Sequence, residues 1–309
     1  MEKSRSHSPA LANFHFAGYN LYRSHQDEWY ANLFWRMHFG RRFFMGILGR
    51  LQSWFDWLIT DPADFIVYLI YFAASILLTL ILHEIAHGYV AWKCGDPTAK
   101  MLGRLSMDPR RHLDPLGTLF LVFFGFGWAK PVPVNPRNFE NYRRDDFLVS
   151  IAGVTVNITL FLLSMSLAVG LNGLLWKPEI IEYYGTRELL SSNGIGYAVL
   201  LGGAGAENTQ FMRYPWIQYI QRFLLLFSTM NLSVGLFNLL PIPPLDGYHI
   251  INDIMLKGRL NLSRNAFQIT RLLLLVLCFS GAFSRILGTA FNAVEDAVLN
   301  LLLTIAGLN

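Results

Sequence analysis

The stretch LTLILHEIAHGYVAW, from Leu78 to Trp92, places two histidines and a glutamate at the end of a long apolar run. The charge-free tract that leads into it extends from Phe65 to Leu82. A membrane-spanning helix needs about 20 apolar residues, so this tract spans a bilayer only if the helix continues through the histidines. Ionisable side chains at that depth are costly unless they are paired, hydrated or bound to metal. The stretch is therefore a candidate functional site inside a membrane.

The composition of the chain supports a membrane protein. Of its 309 residues, 53% are hydrophobic and 15% are charged, whereas soluble domains have about 25% charged residues. Two more charge-free tracts, Phe147 to Trp176 and Phe223 to Leu245, are each long enough to span, and Leu272 to Ser284 begins a fourth that Arg285 interrupts. We therefore predict an all-α polytopic membrane protein with four to six transmembrane helices.

Several other classes of protein are disfavoured. The first ten residues, MEKSRSHSPA, do not lead into a compact apolar core with a cleavage site, so we expect no cleavable signal peptide. Cys94 and Cys278 are too few for a disulfide framework or a cysteine zinc cluster. The formal net charge of +4 fits basic loops on the cytoplasmic face, so we expect no nucleic-acid partner.

The basic residues also predict a topology. Nine Lys and Arg lie between Lys93 and Asp146, and four more lie between Asp246 and Arg271. If each intervening tract crosses once, these two segments share one side, which the positive-inside rule makes cytoplasmic. The segment from Lys177 to Arg222 then lies outside, and its glycine-rich composition indicates a flexible loop.

The first cytoplasmic segment contains a second unusual stretch. LGTLFLVFFGFGWA, Leu116 to Ala129, is apolar but too short to span, which indicates a re-entrant or interfacial element after the first core helix. The following KPVPVNPRNF contains three prolines and cannot be helical, so we expect an extended, strand-like segment there.

Three regions are predicted along the chain. Residues 1–60 form an N-terminal amphipathic or interfacial extension, in which Phe43 to Ile59 is either an imperfect extra crossing or a surface helix. Residues 61–260 form the membrane-embedded core. Residues 261–309 form transmembrane or membrane-associated helices, and the tract AVLNLLLTIAGLN either completes a further span or packs along the membrane.

The motif HEIAH has the spacing of a metal site. His83 and His87 are four residues apart, so on a helix they project from one face and can bind the same ion. In zinc hydrolases with this spacing, the glutamate, here Glu84, is the base that takes a proton from water rather than a ligand. A catalytic zinc site needs a third protein ligand and leaves one position open.

Asp246 is the best candidate for the third ligand. It ends the third apolar tract in FNLLPIPPLDGYHI, where the prolines break the helix and can present a carboxylate within the membrane. A plain turn at the membrane boundary is the alternative interpretation. The predicted topology favours a ligand, because HEIAH and LDG both lie toward the cytoplasmic ends of their helices.

Three separated motifs, HEIAHGYVAWKCGDPTAK, GFGWAKPVPVNPRNF and NLLPIPPLDG, closely resemble those of the site-2 protease family of intramembrane zinc metalloproteases. The resemblance covers about Asp61 to Ile251 and is to the compact bacterial branch without an obvious PDZ or CBS domain. It implies that His83, His87 and Asp246 bind one Zn²⁺ per chain and that Glu84 is the base. It also implies a zinc protease of the bacterial cytoplasmic (inner) membrane that cleaves a peptide bond within or near a transmembrane segment of a membrane protein, with its active site toward the cytoplasm.

The family also has a G-P-x-x-N pattern between its zinc motifs, which here reads AGVTVN and has Val154 in place of the proline. Asn157 is therefore a candidate catalytic residue that hydrogen-bonds the substrate backbone or stabilises an oxyanion. The alternative is that it joins helices, as Asn231 and Asn238 can also do. We do not expect His112 or His249 to be ligands.

Two alternative functions predict different features in the sequence. A protease fold that has become an inactive scaffold would not need Glu84, and a metal transporter would need polar sites along a path rather than at one depth. Because a helical substrate must unwind before cleavage, we also hypothesise that residues Lys130 to Asn135 pair with it as an added strand. The oligomeric state is left open by the sequence.

Overall fold

The chain is described by a computed structural model that covers residues 52, 54–124, 127–201, 207–260, 262–280 and 282–308. It is 76% helical, and no strand occurs among these residues, which confirms the predicted all-α class. The principal helices are α1 (Pro62–Lys93), α2 (Pro115–Phe124), α3 (Tyr142–Leu175), α4 (Ile217–Asn238), α5 (Asp246–Ile254), α6 (Arg264–Ser280) and α7 (Ala282–Ala306). Shorter unnumbered segments are the α-helices Thr98–Met101, Pro109–His112, Pro178–Tyr184, Thr186–Leu190 and Ile195–Leu201, and the 3₁₀ turns Pro136–Asn138 and Glu207–Phe211.

Four helices in the described part of the chain are long and apolar enough to cross a membrane. They are α1, α3, α4 and the part of α7 from Leu287 to Ala306. The first span does continue through the histidines, because α1 extends without a break from Pro62 to Lys93. The protein is thus an integral membrane protein with four candidate spans, the lower bound of the predicted range.

The start of α1 follows from its sequence. Asp61 precedes the helix and its carboxylate accepts a hydrogen bond from the Asp64 N–H at 3.1 Å. Pro62 occupies the first helical position, where its missing N–H costs nothing. At the other end, Gly95 has φ +98° and an added Cβ would lie 2.8 Å from the Asn138 carbonyl oxygen, so glycine is needed there.

Helices α1, α3 and α4 pack against one another, and α5 packs on the start of α3. At the middle of the bundle, the Asn231 side-chain amide donates to the Thr79 hydroxyl at 3.0 Å, and both residues are fully buried. This bond joins α4 to α1, which agrees with the helix-joining role considered for Asn231. Asn238 instead donates to the Val234 carbonyl of its own helix at 3.0 Å.

The segment between α3 and α4 differs from the flexible loop expected from its glycines. Trp176, Leu189, Leu190 and Leu200 have no more than 1% of their surface exposed and join a hydrophobic cluster with α3, α4 and α7. The expectation was wrong for the described residues because the large apolar side chains between the glycines pack together. Gly202, Gly203 and Gly205 lie outside the described residues.

The stretch between α1 and α3 holds the predicted short apolar element. Its first part forms the ten-residue helix α2, which is too short to span. After it, Ala129 pairs antiparallel with Leu113, and the Lys130 N–H donates to the His112 carbonyl at 2.8 Å. The proline-rich residues from 131 to 135 are non-helical, as predicted, although only this isolated bridge has strand pairing.

The C-terminal region, predicted to form transmembrane or membrane-associated helices, contains the two helices α6 and α7. The apolar tract from Leu272 lies in α6, which is shorter than a span, and the following α7 includes the C-terminal apolar tract. For the N-terminal extension, residues 54–60 are helical, and nearly all the rest, including most of Phe43 to Ile59, lies outside the described residues.

The prolines break the third span as predicted. Helix α4 ends at Asn238 and α5 begins at Asp246, with a series of turns between them. Gly247 lies against the end of α4, where an added Cβ would be 2.3 Å from the Leu239 carbonyl oxygen. This close approach fixes Asp246 at the first position of α5, next to the bundle.

Candidate metal centre

Three side chains from two separate helices converge on one point in the bundle. His83 Nε2 and His87 Nε2 are 3.0 Å apart, and Asp246 Oδ2 lies 3.3 Å from the first and 3.4 Å from the second. The three residues are the one group of metal-binding type found among the described residues. Their exposures are low, at 6%, 12% and 18% of the respective side chains.

The two separations that involve Asp246 match a tetrahedral zinc ion, and the two imidazole nitrogens are slightly closer together, at 3.0 Å. Zinc binds histidine nitrogen and carboxylate oxygen at about 2.0–2.2 Å, which places neighbouring ligand atoms roughly 3.3–3.5 Å apart. Asp246 Oδ2 is buried and has no hydrogen-bond partner of good geometry, although it faces two imidazole nitrogens. Two imidazoles and one carboxylate are also the kind of ligand set that catalytic zinc sites use, with a fourth position open.

Helix α3 contacts the Nδ1 atom of each imidazole. His87 Nδ1 lies 2.7 Å from the Val149 carbonyl oxygen, and His83 Nδ1 lies 3.2 Å from the Asn157 side-chain amide. A carbonyl oxygen can only accept, so His87 Nδ1 carries a proton, and in the neutral ring the lone pair is then on Nε2, the atom that faces Asp246. Such contacts orient metal-binding histidines and set their tautomers.

Gly153 provides the space for the histidines. An added Cβ at this position would lie 2.5 Å from both His87 Nε2 and His83 Cε1. Real Cβ contacts are not that short, so α3 approaches the two rings only because this residue has no side chain. Val149, Gly153 and Asn157 are spaced by four residues and thus share the face of α3 that meets the histidines.

Glu84, the predicted base, is held by the proline-rich segment. Its Oε2 accepts a hydrogen bond from the Val132 N–H at 2.7 Å. The Val132 side chain packs at Gly88, where an added Cβ would be 2.9 Å from Val132 Cγ1. One carboxylate oxygen is therefore fixed by backbone.

Asp96 fastens the far end of the same segment. Its buried carboxylate accepts hydrogen bonds at 2.7 Å from the Asn135 N–H and from the Asn138 side chain, and also from Thr98. Burial would raise the pKa of Asp96, but these donors hold it below its ordinary value. The carboxylate thus ties the turn after α1 to the residues beyond the proline-rich segment.

The other histidines and loop carboxylates have separate contacts. His112 Nε2 lies 2.8 Å from the Ser106 carbonyl oxygen, and His249 Nδ1 lies 3.1 Å from Asp146 Oδ2, so both are outside the three-residue group. Asp108 and Asp114 each accept a hydrogen bond from a backbone N–H at a helix start, that of Arg110 and that of Gly117 respectively.

Sequence reasoning identified the three converging residues but missed their supports. Val149 and Val132 contribute through backbone atoms, which leave no signature in residue type. The four-residue spacing of Val149, Gly153 and Asn157 was readable, but only the structure shows that this face meets the histidines. Asn157 was predicted either to act on the substrate or to join helices, and the structure places its amide against the ring of His83.

Comparisons with family models and with individual proteins agree on one protein family. Residues 71–280 match the model of peptidase family M50. The chain is 35% identical over 231 residues to "Putative zinc metalloprotease YwhC" of Bacillus subtilis (strain 168), which covers 75% of this chain and 90% of that protein. It is 29% identical over 216 residues to "Putative zinc metalloprotease Rip2" of Mycobacterium tuberculosis, covering 66% of this chain and 67% of that protein.

A third relative, the protein of the same Rip2 name from Mycolicibacterium smegmatis, is 23% identical over 237 residues, which are 74% of this chain and 75% of that protein. No solved structure matches the chain significantly. The family match includes the HEIAH and LDG motifs, and the described residues include four helices long and apolar enough to cross a membrane. The chain therefore belongs to peptidase family M50, the site-2 protease family, and is a membrane-embedded zinc metalloendopeptidase of the site-2 type.

Proposed function

We propose that this protein hydrolyses a peptide bond within or near a transmembrane segment of another membrane protein. The observation that carries the proposal is the convergence of His83, His87 and Asp246 around one point next to Glu84, with both histidines on a helix long enough to span a bilayer and Asp246 on a short helix packed against the bundle. A water-soluble substrate would not require these polar groups to be placed at membrane depth, where they are costly.

In this proposal, His83, His87 and Asp246 hold one zinc ion per chain. When bound, zinc would lower the pKa of a water molecule at the site and would polarise the scissile carbonyl. Glu84 accepts the proton of the attacking water and passes it to the leaving amine. The Val132 N–H, bound to Glu84 Oε2, leaves the other carboxylate oxygen for this proton transfer.

The proline-rich segment is the proposed contact for the unwound substrate. Pro131 and Pro133 have no N–H, while the N–H groups of Lys130, Val132 and Asn135 are bonded to His112, Glu84 and Asp96. Val134 is the residue of this segment whose N–H has no partner among the described residues. We therefore expect strand addition in which Val134 donates the hydrogen bond to the substrate and nearby carbonyl groups accept hydrogen bonds from it.

The proposed location is a bacterial cytoplasmic (inner) membrane, with the site toward the cytoplasm. The segment from Lys93 to Asp146, next to the site, carries nine Lys and Arg, which the positive-inside rule places on the cytoplasmic side. The proposed partners are a transmembrane protein substrate and the surrounding lipid bilayer, with no nucleic acid.

The test is cleavage of a transmembrane substrate that is reconstituted with the purified protein in liposomes, with the products sized by mass spectrometry. We expect the parent to cut within or beside the transmembrane segment and Glu84→Gln to leave the substrate intact. Cleavage by Glu84→Gln, or cuts only in distant soluble parts, would contradict the proposal.

A second comparison tests the strand-addition step. Val134→Pro removes the unpaired N–H, whereas Val134→Ala keeps it and serves as the matched control. We expect cleavage to fall at least tenfold in Val134→Pro relative to Val134→Ala, with zinc content unchanged. Equal cleavage by the two variants would show that this N–H does not bind the substrate.

A further inference from the structure

One face of α3 packs against both histidines and contacts the Nδ1 atom of each ring. We propose that Asn157 is a positioning residue, which holds His83 in the tautomer that presents Nε2 to zinc, and not a catalytic residue that touches the substrate. This inference rests on the zinc site of the proposed function and concerns how that site is kept ready for the metal.

The contact itself supports a positioning role. Asn157 is fully buried, and its amide lies 3.2 Å from His83 Nδ1. Nδ1 and Nε2 point to different sides of an imidazole ring, and His83 Nε2 is the atom that faces His87 and Asp246. The Asn157 amide therefore contacts the ring nitrogen of His83 that does not face the other two ligand residues.

The chemistry of zinc binding then decides which amide atom faces the ring. For Nε2 to offer its lone pair, the proton of neutral His83 must be on Nδ1, which needs an acceptor. The structure has the Asn157 nitrogen at this contact and leaves Oδ1 buried without a partner. The two ends of an amide are interchanged by a half-turn, so Oδ1 can occupy the same place and accept the Nδ1 proton.

The neighbouring histidine shows the same arrangement with a backbone group. His87 Nδ1 lies 2.7 Å from the Val149 carbonyl oxygen, which can only accept. Val149 and Asn157 are eight residues apart, so they lie two turns apart on one face of α3, with Gly153 between them. One helix face thus supplies an acceptor to each ligand histidine, through the backbone for His87 and through Asn157 for His83.

The test compares Asn157→Ala, Asn157→Asp and the control Asn172→Ala. Asn172 is an equally buried asparagine of α3, far along the helix from the metal centre. Zinc affinity is measured by competition with a chelator, and cleavage is measured at saturating zinc. We expect Asn157→Ala to bind zinc roughly 10–100-fold more weakly, as is usual when the partner of a metal-binding histidine is lost.

Asn157→Asp separates the two roles because a carboxylate accepts hydrogen bonds but has no N–H to donate. We expect it to retain zinc affinity within a few-fold of the parent and to cleave substrate. An oxyanion or substrate-binding role requires the opposite, with unchanged zinc affinity in Asn157→Ala and lost cleavage in both variants. That pattern would overturn the inference, as would a loss of zinc affinity in a folded Asn157→Asp.

The outcomes also separate this inference from the proposed function. If the folded parent binds no zinc, the metal site itself is wrong and the inference fails with it. If the parent binds zinc and cleaves, but Asn157→Ala binds zinc as tightly as Asn172→Ala, only the positioning role is overturned. Nitrogen-15 NMR of labelled histidine gives an independent check, since the inference requires the His83 proton on Nδ1 in the parent and in Asn157→Asp.

Discussion

Gly153 lies so close to the two histidines that there is no space for a side chain at this position. With a Cβ only 2.5 Å from His87 Nε2, Gly153→Ala must displace either α3 or a proposed ligand. We expect this variant to lose at least tenfold in zinc affinity, measured by chelator competition, and to lose cleavage in proportion.

A matched control lies on the same helix. Gly170 has no neighbour within 4 Å of an added Cβ, so Gly170→Ala should leave zinc binding unchanged and stabilise α3 by up to about 1 kcal/mol. Equal zinc affinities for the two variants would mean that the close approach of Gly153 to the rings does not affect zinc binding.

Some residues of the site could be predicted from the sequence, and others could not. His83, His87 and Asp246 were identified because metal chemistry restricts the residue types and helical geometry restricts the spacing. The Val132 N–H and the Val149 carbonyl were not, since any residue except proline has an N–H and every residue has a carbonyl. Asn157 was singled out from a motif, but its contact with His83 required the structure.

The position of α5 is set by a polar cluster that lies away from the metal centre. Asp146 and Arg143, at the start of α3, contact His249 and Asp253 on α5, with the Arg143 guanidinium donating to the Asp253 carbonyl oxygen at 2.9 Å. Burial and the adjacent Asp146 carboxyl raise the pKa of Asp253 to about 6. The Asp146 carboxylate also raises the pKa of His249.

These shifts predict how stability depends on pH. An unfolded aspartate has a pKa of about 3.9, so the folded protein binds more protons at Asp253 and loses stability as pH rises from about 4 to about 6. His249 acts in the same direction, because its stabilising pair with Asp146 is lost as pH rises through its raised pKa.

Asp253→Asn removes the first contribution. We expect this variant to unfold at a temperature a few degrees above the parent at pH 7.5, and the difference to disappear toward pH 4. Thermal unfolding in detergent across that pH range measures it. A variant less stable than the parent at pH 7.5 would show that the ionised Asp253 stabilises α5 instead.

Elements differed in how well their sequences predicted them. The first three spans and the break before Asp246 followed from apolar length and from the prolines, both of which act locally. The compact segment between α3 and α4 did not, because its order comes from tertiary packing of residues such as Trp176 and Leu190. In the C-terminal region the sequence left two alternatives open, and α7, which contains the tract AVLNLLLTIA, has spanning length, whereas α6 is shorter.

For the whole molecule, α7 is joined to the segment between α3 and α4 at a buried carboxylate. Glu295, only 2% exposed, accepts hydrogen bonds from the Ser192 hydroxyl at 2.6 Å and from the Ser192 N–H at 3.3 Å. The next residue, Asp296, pairs with Arg187 at 2.7 Å, but both of those side chains are nearly half exposed. The buried contact of Glu295 and the exposed contact of Asp296 therefore join the same two parts of the chain, and their contributions to stability can be compared.

Glu295→Ala should destabilise the protein far more than Asp296→Ala. Losing the buried acceptor leaves the Ser192 groups without partners, which costs about 2–3 kcal/mol and lowers the unfolding temperature by roughly 5–10 °C. The exposed pair contributes about 0–1 kcal/mol. Thermal unfolding of the two variants tests this difference, and equal shifts would show that the buried contact does not hold α7 in place.

The bundle brings His83, His87 and Asp246 together, and we infer that they hold one zinc ion, which Glu84 uses without binding it. The most direct measurement is the zinc content per chain of the folded, purified parent, Glu84→Gln and Asp246→Ala. We predict about one zinc per chain in the parent and in Glu84→Gln, and much less in Asp246→Ala. A folded parent without zinc, or an Asp246→Ala variant that binds zinc as the parent does, would contradict the claim.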